Sequence, residues 1–184
     1  MSQLVKFWTD LVASGCKTVD DVPEKIKSAI VAQLINSGVL TDTDVEVVRE
    51  AKIAEMSAAC NKRIEEGIDV TLSDGEIRHF SLEVSDQLKI SKLNDRAKAG
   101  VTELPYHADG ESCKFYTAED VGAINTAMEN CVEFNVTYFN SLRDYIRSMT
   151  EIADVNAVKY GIDIPVQYQS EVLQAIYAQM LANK

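Results

Sequence analysis

The chain is short of positive charge. Lys and Arg total 18 against 29 Asp and Glu, which leaves a formal net charge of -11. Nucleic-acid binding without sequence preference runs on clustered cations, and so does docking on anionic membranes, so neither is expected. Long apolar runs are also missing. No stretch reaches the roughly 18 residues of a membrane span, so no membrane insertion is expected. The segment from Met1 to Asp10 has no apolar run leading to a small-residue cleavage site, which predicts a protein made in the cytosol without a signal peptide. Histidine is scarce, with two in the chain, and the four cysteines (Cys16, Cys60, Cys113, Cys131) form no C-x-x-C pair. Reduced thiols are the expectation. There is no G-x-G-x-x-G, no phosphate loop and no G-x-S-x-G.

What remains is 184 residues that are 46% hydrophobic and 26% charged, close to an ordinary globular protein, so wholesale disorder is not expected. The length suits one domain, or a small domain with helical arms. Eight glycines and three prolines punctuate the chain and make its breaks legible. Leu4, Val5, Trp8, Leu11 and Val12 share one helical stripe. Ser14-Gly15 stops that helix, and Thr18 with Asp21 forms a capping-box-like start near Pro23. Ile26, Ile30, Val31, Leu34 and Ile35 make the next stripe, stopped by Ser37-Gly38 before Thr41 and Asp44. Both stops read S-G-x-x-T-x-x-D-V. They are either an internal duplication or two Gly-capped helices each followed by a Thr-capped one.

A third helix is predicted from about Asp42 to Glu66, with Ile53, Met56, Cys60 and Ile64 on one side and Gly67 as its end. The period then changes to two. Ile68, Val70 and Leu72 alternate up to Ser73-Asp74-Gly75-Glu76, and Asp-Gly between alternating runs signals a hairpin. Ser85-Asp86-Gln87 opens a helix carrying Leu88, Ile90 and Leu93 and stopping at Gly100. A second hairpin turns at Ala108-Asp109-Gly110-Glu111, between Leu104, Tyr106 and His107 on one side and Cys113, Phe115 and Tyr116 on the other. The two hairpins are expected to pair into one small antiparallel sheet.

Thr117 with Asp120 caps a long helix. Val121, Ile124, Met128, Cys131, Asn135, Tyr138, Leu142, Tyr145, Met149 and Ile152 alternate by three and four, about five heptads of coiled-coil spacing. Such a helix would be roughly 50 Å long. Asn135 is the one polar member, a residue type that sets register. The extra apolar residues Val132, Phe134, Phe139 and Ile146 require cover on two sides, from the chain's own helices or from a second copy. The tail passes through an extended Ile162-Asp163-Ile164-Pro165 to a final helix with Val172, Leu173, Ile176, Met180 and Leu181. That helix either folds back or docks on a neighbour.

Residues with chemical potential are few. His107, Asp109 and Cys113 surround the second turn, with His79 in the first hairpin. Their spacing fits no familiar zinc class. A Cys–His nucleophile pair would need an orienting third group. Cys113 alternates with Phe115 and is predicted to fill a core. No catalytic residue, no cofactor and no metal is therefore assigned.

One series of residues carries a resemblance. Cys60, Ile64, Gly67, Val70, Leu72, Gly75, His79-Phe80-Ser81-Leu82 and Asp86-Gln87-Leu88 come first. Tyr106-His107-Ala108-Asp109-Gly110, Cys113 and Tyr116-Thr117 follow. This pattern resembles uncharacterised proteins encoded in the tail-gene clusters of siphophages and prophages, over roughly residues 50 to 150. Lys89 and Ile90 depart from it, since those proteins often carry Asn there. The opening Phe7-Trp8-x-x-Leu11-Val12, with Gly15 and Asp21-Val22-Pro23, is similar to helical openings of such tail proteins. The resemblance implies a virion or assembly role rather than a reaction.

The expected fold is α+β and predominantly helical: two β-hairpins forming a small antiparallel sheet packed with helices, and one long heptad-patterned helix. Residues 1–40 would form a helical arm, 41–155 the core, and 156–184 an extended segment and helix. The expected function is that of a non-enzymatic structural protein of a phage tail, at the baseplate, tail tip or fibre attachment. It would be made in the host cytoplasm and carried in the virion. Its partners would be other tail proteins and further copies of itself, with no nucleic acid. The assembly surface is assigned to Phe7, Trp8, Leu11, Asn135, Val172, Leu173, Ile176 and Met180. Loss of about the last 25 residues is expected to spare the core. The alternatives are an assembly chaperone absent from the particle and an enzyme acting on the host surface.

Overall fold

Gly67, Gly100 and the two Asp-Gly turns read in the sequence reappear as element boundaries. The structure, a computed structural model, describes residues 3–37, 39 and 45–182. The elements run α1 (Gln3–Ala13), α2 (Glu24–Asn36), α3 (Val45–Glu65), β1 (Ile68–Thr71), β2 (Ile77–Phe80), α4 (Val84–Lys98), β3 (Leu104–Tyr106), β4 (Lys114–Tyr116), α5 (Ala118–Ser148), α6 (Ile152–Ala157) and α7 (Glu171–Ala182). The fold is α+β and mostly helical. Gly38 and residues 40–44 lie outside the described residues, so the second S-G-x-x-T-x-x-D-V copy and the expected start of α3 fall there. Contacts divide the chain into two units, Cys60–Thr137 and the combination of Met1–Ala59 with Tyr138–Lys184. This differs from an arm, core and tail in series, because the N-terminal helices and the tail belong to one unit.

In unit 60–137 the two hairpins are separate two-stranded sheets, not one sheet. β1 pairs antiparallel with β2, placing Asp69 opposite His79 and Ile68 opposite Phe80. β3 pairs with β4, placing Leu104 opposite Tyr116 and Tyr106 opposite Lys114. The hairpins meet through side chains. The Phe80 ring stacks on Tyr106 with centroids 6.2 Å apart and meets Tyr116 edge-on at 6.1 Å. Phe80, Tyr106 and Tyr116 are all buried, and burial pushes the Tyr106 hydroxyl up to about 12. Strand alternation then turns Cys113 and Phe115 outward. Both are exposed, which corrects the core role expected of Cys113.

Two devices fix the hairpin ends. Gly67 leaves α3 with φ +87, and a Cβ there would collide with the Phe80 carbonyl and Ser81 Cα. At the start of α5, the Thr117 hydroxyl donates to Asp120 at 2.8 Å while the Asp120 N–H donates back to the Thr117 hydroxyl at 3.1 Å. The other Asp120 oxygen accepts the Ser73 N–H at 2.8 Å, tying the helix cap to the first turn. Burial pushes the Asp120 carboxyl up, but these hydrogen bonds outweigh it and hold it below its ordinary value.

In the other unit, Ile30, Val31 and Leu34 of α2, Val48, Ala51, Ile53 and Met56 of α3, and Tyr138, Leu142 and Ile146 of α5 are buried. The start predicted at Thr18 is a separate 3-10 turn, Val19–Asp21, and α2 begins after Pro23. There the Asp21 carboxylate accepts the Thr18 N–H at 2.9 Å. The long helix ends at Ser148, and Ile152 belongs to α6, which corrects the continuous helix expected there. The cause is local and tertiary together. The Ser148 hydroxyl donates to the Tyr145 carbonyl at 2.7 Å, and the Arg49 guanidinium takes the Arg147 carbonyl at 2.5 Å. Both satisfy acceptors that a helix end leaves open.

The tail folds back within this unit. The Tyr138 hydroxyl donates to the Ile162 carbonyl at 2.7 Å and accepts the Gly161 N–H at 3.0 Å. Burial pushes that hydroxyl up to about 12. The Ser170 N–H donates to Ser141 Oγ at 3.1 Å, and Ser170 Oγ caps α7 by accepting the Leu173 N–H at 3.1 Å. Ile164 and Leu173 are buried. Removing the tail would therefore strip this unit of core residues, against the expectation that the core would be spared.

Two substitutions test these joints by urea unfolding. Gly67→Ala should destabilise the protein by more than Gly75→Ala, because both glycines have positive φ but only Gly67 faces a backbone collision. The open site should cost about 1 kcal/mol. Equal losses would refute the close approach. Tyr138→Phe should cost about 1 kcal/mol through the lost tail hydrogen bonds, and an unchanged midpoint would contradict their role.

Candidate functional site

The chemistry-bearing side chains gather where the hairpins meet. The β1–β2 register sets Asp69 beside His79, and His79 Nδ1 lies 2.7 Å from Asp69 Oδ1. His79 Nε2 lies 2.8 Å from the Glu66 carbonyl at the end of α3 and 3.9 Å from Asp109 Oδ2 of the second turn. A carboxylate and a carbonyl can only accept, so both contacts are donated together only by the doubly protonated imidazolium. Accordingly, the Asp69 hydrogen bond, reinforced by the Glu66 carbonyl, holds the His79 pKa above its ordinary value despite some desolvation.

Asp109 links the hairpins from the other side. Its N–H donates to the His79 carbonyl at 2.9 Å, its carboxylate accepts the Ser81 N–H at 3.3 Å, and the Ser81 hydroxyl donates to it as well. A second ionic group spans the turns. Arg78 grips Asp74 through both terminal nitrogens, at 2.9 and 2.7 Å, and reaches Glu111 at 3.3 Å. The Arg78 hydrogen bond holds the Asp74 carboxyl down at about 2. Lys114 also reaches Glu111, at 2.9 Å.

This arrangement links the two turns through ion pairs and hydrogen bonds. The Ser81 hydroxyl donates to Asp109, not to His79, so the order nucleophile, base, orienting acid is not reproduced. His107 stands apart, with Nδ1 3.3 Å from the Ala108 carbonyl and its ring stacked on Tyr106. Among the described residues no group of three or more His, Cys, Asp or Glu could hold a metal. The structure thus joins His79 to Asp109 but leaves His107 and Cys113 outside. Asp69 and Ser81 were missed in the sequence. The signal for Asp69 was its place opposite His79 once Asp74-Gly75 is taken as the turn.

The residues assigned to assembly separate into three groups. Phe7 is exposed and packs edge-on against Trp8 at 6.2 Å, and Trp8 and Leu11 are half-buried. With Leu4 also exposed, α1 carries an apolar face that its own unit does not cover. On α7, Val172 and Met180 are exposed, as is Leu181, and Ile176 is half-buried. Leu173 and Asn135 are different. Leu173 has 0% exposure, so it is core and not surface. Asn135 is buried, and its amide donates to the Cys131 carbonyl of its own helix at 2.8 Å, so it needs no second copy to be satisfied. Both leave the assembly surface.

A groove in unit 60–137 was not foreseen. It encloses about 560 Å³ between α4 and α5, lined by Val84 and Leu88 on one side and by Met128, Glu129, Val132 and Glu133 on the other. Leu88 is 57% exposed, unlike Ile90 and Leu93 of the same helix, which are buried.

The family described as Domain of unknown function (DUF4376) matches residues 47–160, and the chain belongs to it. No curated protein and no solved structure matches the chain.

The His79 junction makes stability depend on pH with a definite sign. A histidine whose folded pKa is raised contributes stability that is full below its unfolded pKa and is lost as pH rises through the folded value. The unfolding midpoint should therefore fall as pH rises from about 6 to above the folded pKa of His79, by at most about 1 kcal/mol for so exposed a group. In His79→Gln this part of the pH dependence should vanish. A variant that keeps the same slope would place the titrating group elsewhere.

Proposed function

We propose that this DUF4376 protein is a non-enzymatic structural component of a bacteriophage tail, at the baseplate, tail tip or fibre attachment. It works through contacts with other tail proteins and with further copies of itself. The observation that carries the reading is the set of uncovered apolar side chains on the two terminal helices: Leu4 and Phe7 on α1, and Val172, Met180 and Leu181 on α7. Exposed apolar groups gathered on helices of an acidic chain mark surfaces meant for a partner. The resemblance of the Cys60–Thr117 pattern to tail-cluster proteins supplies the setting. The ionic junction supports the same reading, since its groups are spent on holding the hairpins.

The mechanism is mechanical. The hairpin unit presents a fixed surface, and the α1 and α7 faces bury their apolar side chains against neighbouring subunits. Each large apolar side chain so buried contributes about 1.5–3 kcal/mol.

Purified virions settle the matter by quantitative mass spectrometry. The chain should be present at a fixed copy number per particle. Phe7→Asp combined with Val172→Asp should lower that number at least about tenfold, as expected for two lost apolar contacts, while the isolated protein stays folded. A chain abundant in infected cells but absent from particles would refute the structural role and leave that of an assembly chaperone.

A further inference from the structure

The α4–α5 groove has the chemistry of a receptor for a helix. Val84, Leu88 and Ser91 fall at i, i+4 and i+7 along α4, so they share one face. Met128 and Val132 provide the apolar floor from α5, and Val136, four residues beyond Val132 on the same helix, is exposed. The face is not spare core. Val84 is 70% exposed, Leu88 57% and Val136 43%. The walls carry Glu129 and Glu133, and no Lys or Arg lines the groove. Neither glutamate is in any ion pair among the described residues. A second copy of a chain of net charge -11 would bring like charge to this acidic rim.

We infer that the α4–α5 groove docks a basic amphipathic helix of another protein, with two or so apolar side chains seated on Leu88, Met128 and Val132 and Lys or Arg side chains meeting Glu129 and Glu133. A groove lined by two helix faces takes a third helix by the helix-in-groove mode, with anchors at i, i+3 or i+4, and i+7. The apolar floor supplies affinity, and the glutamates supply orientation and on-rate. This surface is made of residues other than those of α1 and α7, and its occupancy does not depend on whether the chain is carried in a virion.

The test uses the purified full chain and two fluorescein-labelled peptides of about 18 residues, long enough to hold helix against a groove. Both carry one leucine stripe at helical spacing, with Lys at the remaining positions in one and Glu in the other. Fluorescence anisotropy should show saturable binding of the Leu/Lys peptide at least about tenfold tighter than the Leu/Glu peptide. Leu88→Asp is the decisive variant, because it makes the protein more acidic while removing an apolar anchor. The side chain is already mostly exposed, so the fold tolerates the change, and Val84→Asp repeats the test at a second exposed position. Both should weaken the Leu/Lys peptide at least about tenfold, the factor that burying one leucine commands. Unchanged or tighter binding in the variants would mean that charge alone attracts the peptide and would overturn the proposal. So would a homodimer, seen by light scattering, that Leu88→Asp dissolves, since the groove would then belong to a second copy.

Discussion

A two-stranded hairpin is marginal in water. This chain has two, one with four paired positions and one with three, and the hairpin unit depends on how each covers the other. Phe80 is the hub. Its ring is buried between Tyr106 and Tyr116 of the other hairpin, and its carbonyl passes so close to Gly67 that no side chain fits there. Everything polar around it follows from that contact. Asp109 reaches back to the His79 carbonyl and to Ser81, Arg78 reaches from one turn to the other, and Asp120 ties the first turn to the start of α5. The aromatic cluster supplies the burial, and the ionic and hydrogen-bonded groups fix which geometry the burial takes.

Local signals in the sequence proved readable where their cause is local. Gly67, Gly100 and the Asp74-Gly75 and Asp109-Gly110 turns end or reverse the chain where expected, because positive φ or a tight turn is a property of those residues themselves. The heptad stripe of α5 likewise predicts burial of Val121, Ile124, Met128, Tyr138 and Leu142. What failed was long-range. Alternation in β4 says that Cys113 and Phe115 share a face, but not that Tyr116 takes the inner one. The end of α5 is set partly by Arg49, a residue 98 positions away. Two hairpins of matching pattern suggest one sheet, yet whether their edges or their side chains meet is decided by the Phe80 cluster. The groove was hidden for a related reason. An apolar helix residue looks the same in sequence whether it is packed or open, so nothing separated Leu88 from Ile90 and Leu93.

The excess negative charge has acquired places. Some of it is structural, as at Asp74, Asp109 and Asp120, where carboxylates hold turns and a helix start. Some stands on open helix faces, as at Glu129 and Glu133 beside exposed apolar side chains. The first kind is consumed by the fold. The second kind lies where a partner would meet it, and together with the uncovered faces of α1 and α7 it gives an acidic chain several distinct ways to be recognised.

The central claim is that the two hairpins form one cooperative body around Phe80. Native-state hydrogen exchange measures this directly, amide by amide. The paired amides of β1–β2 and β3–β4, and the Asp109 N–H between them, should share one opening free energy, and Tyr106→Ala should lower it in both hairpins at once. If the β3–β4 amides exchange through a smaller, independent opening while β1–β2 stays protected, the hairpins are separate units and the account is wrong.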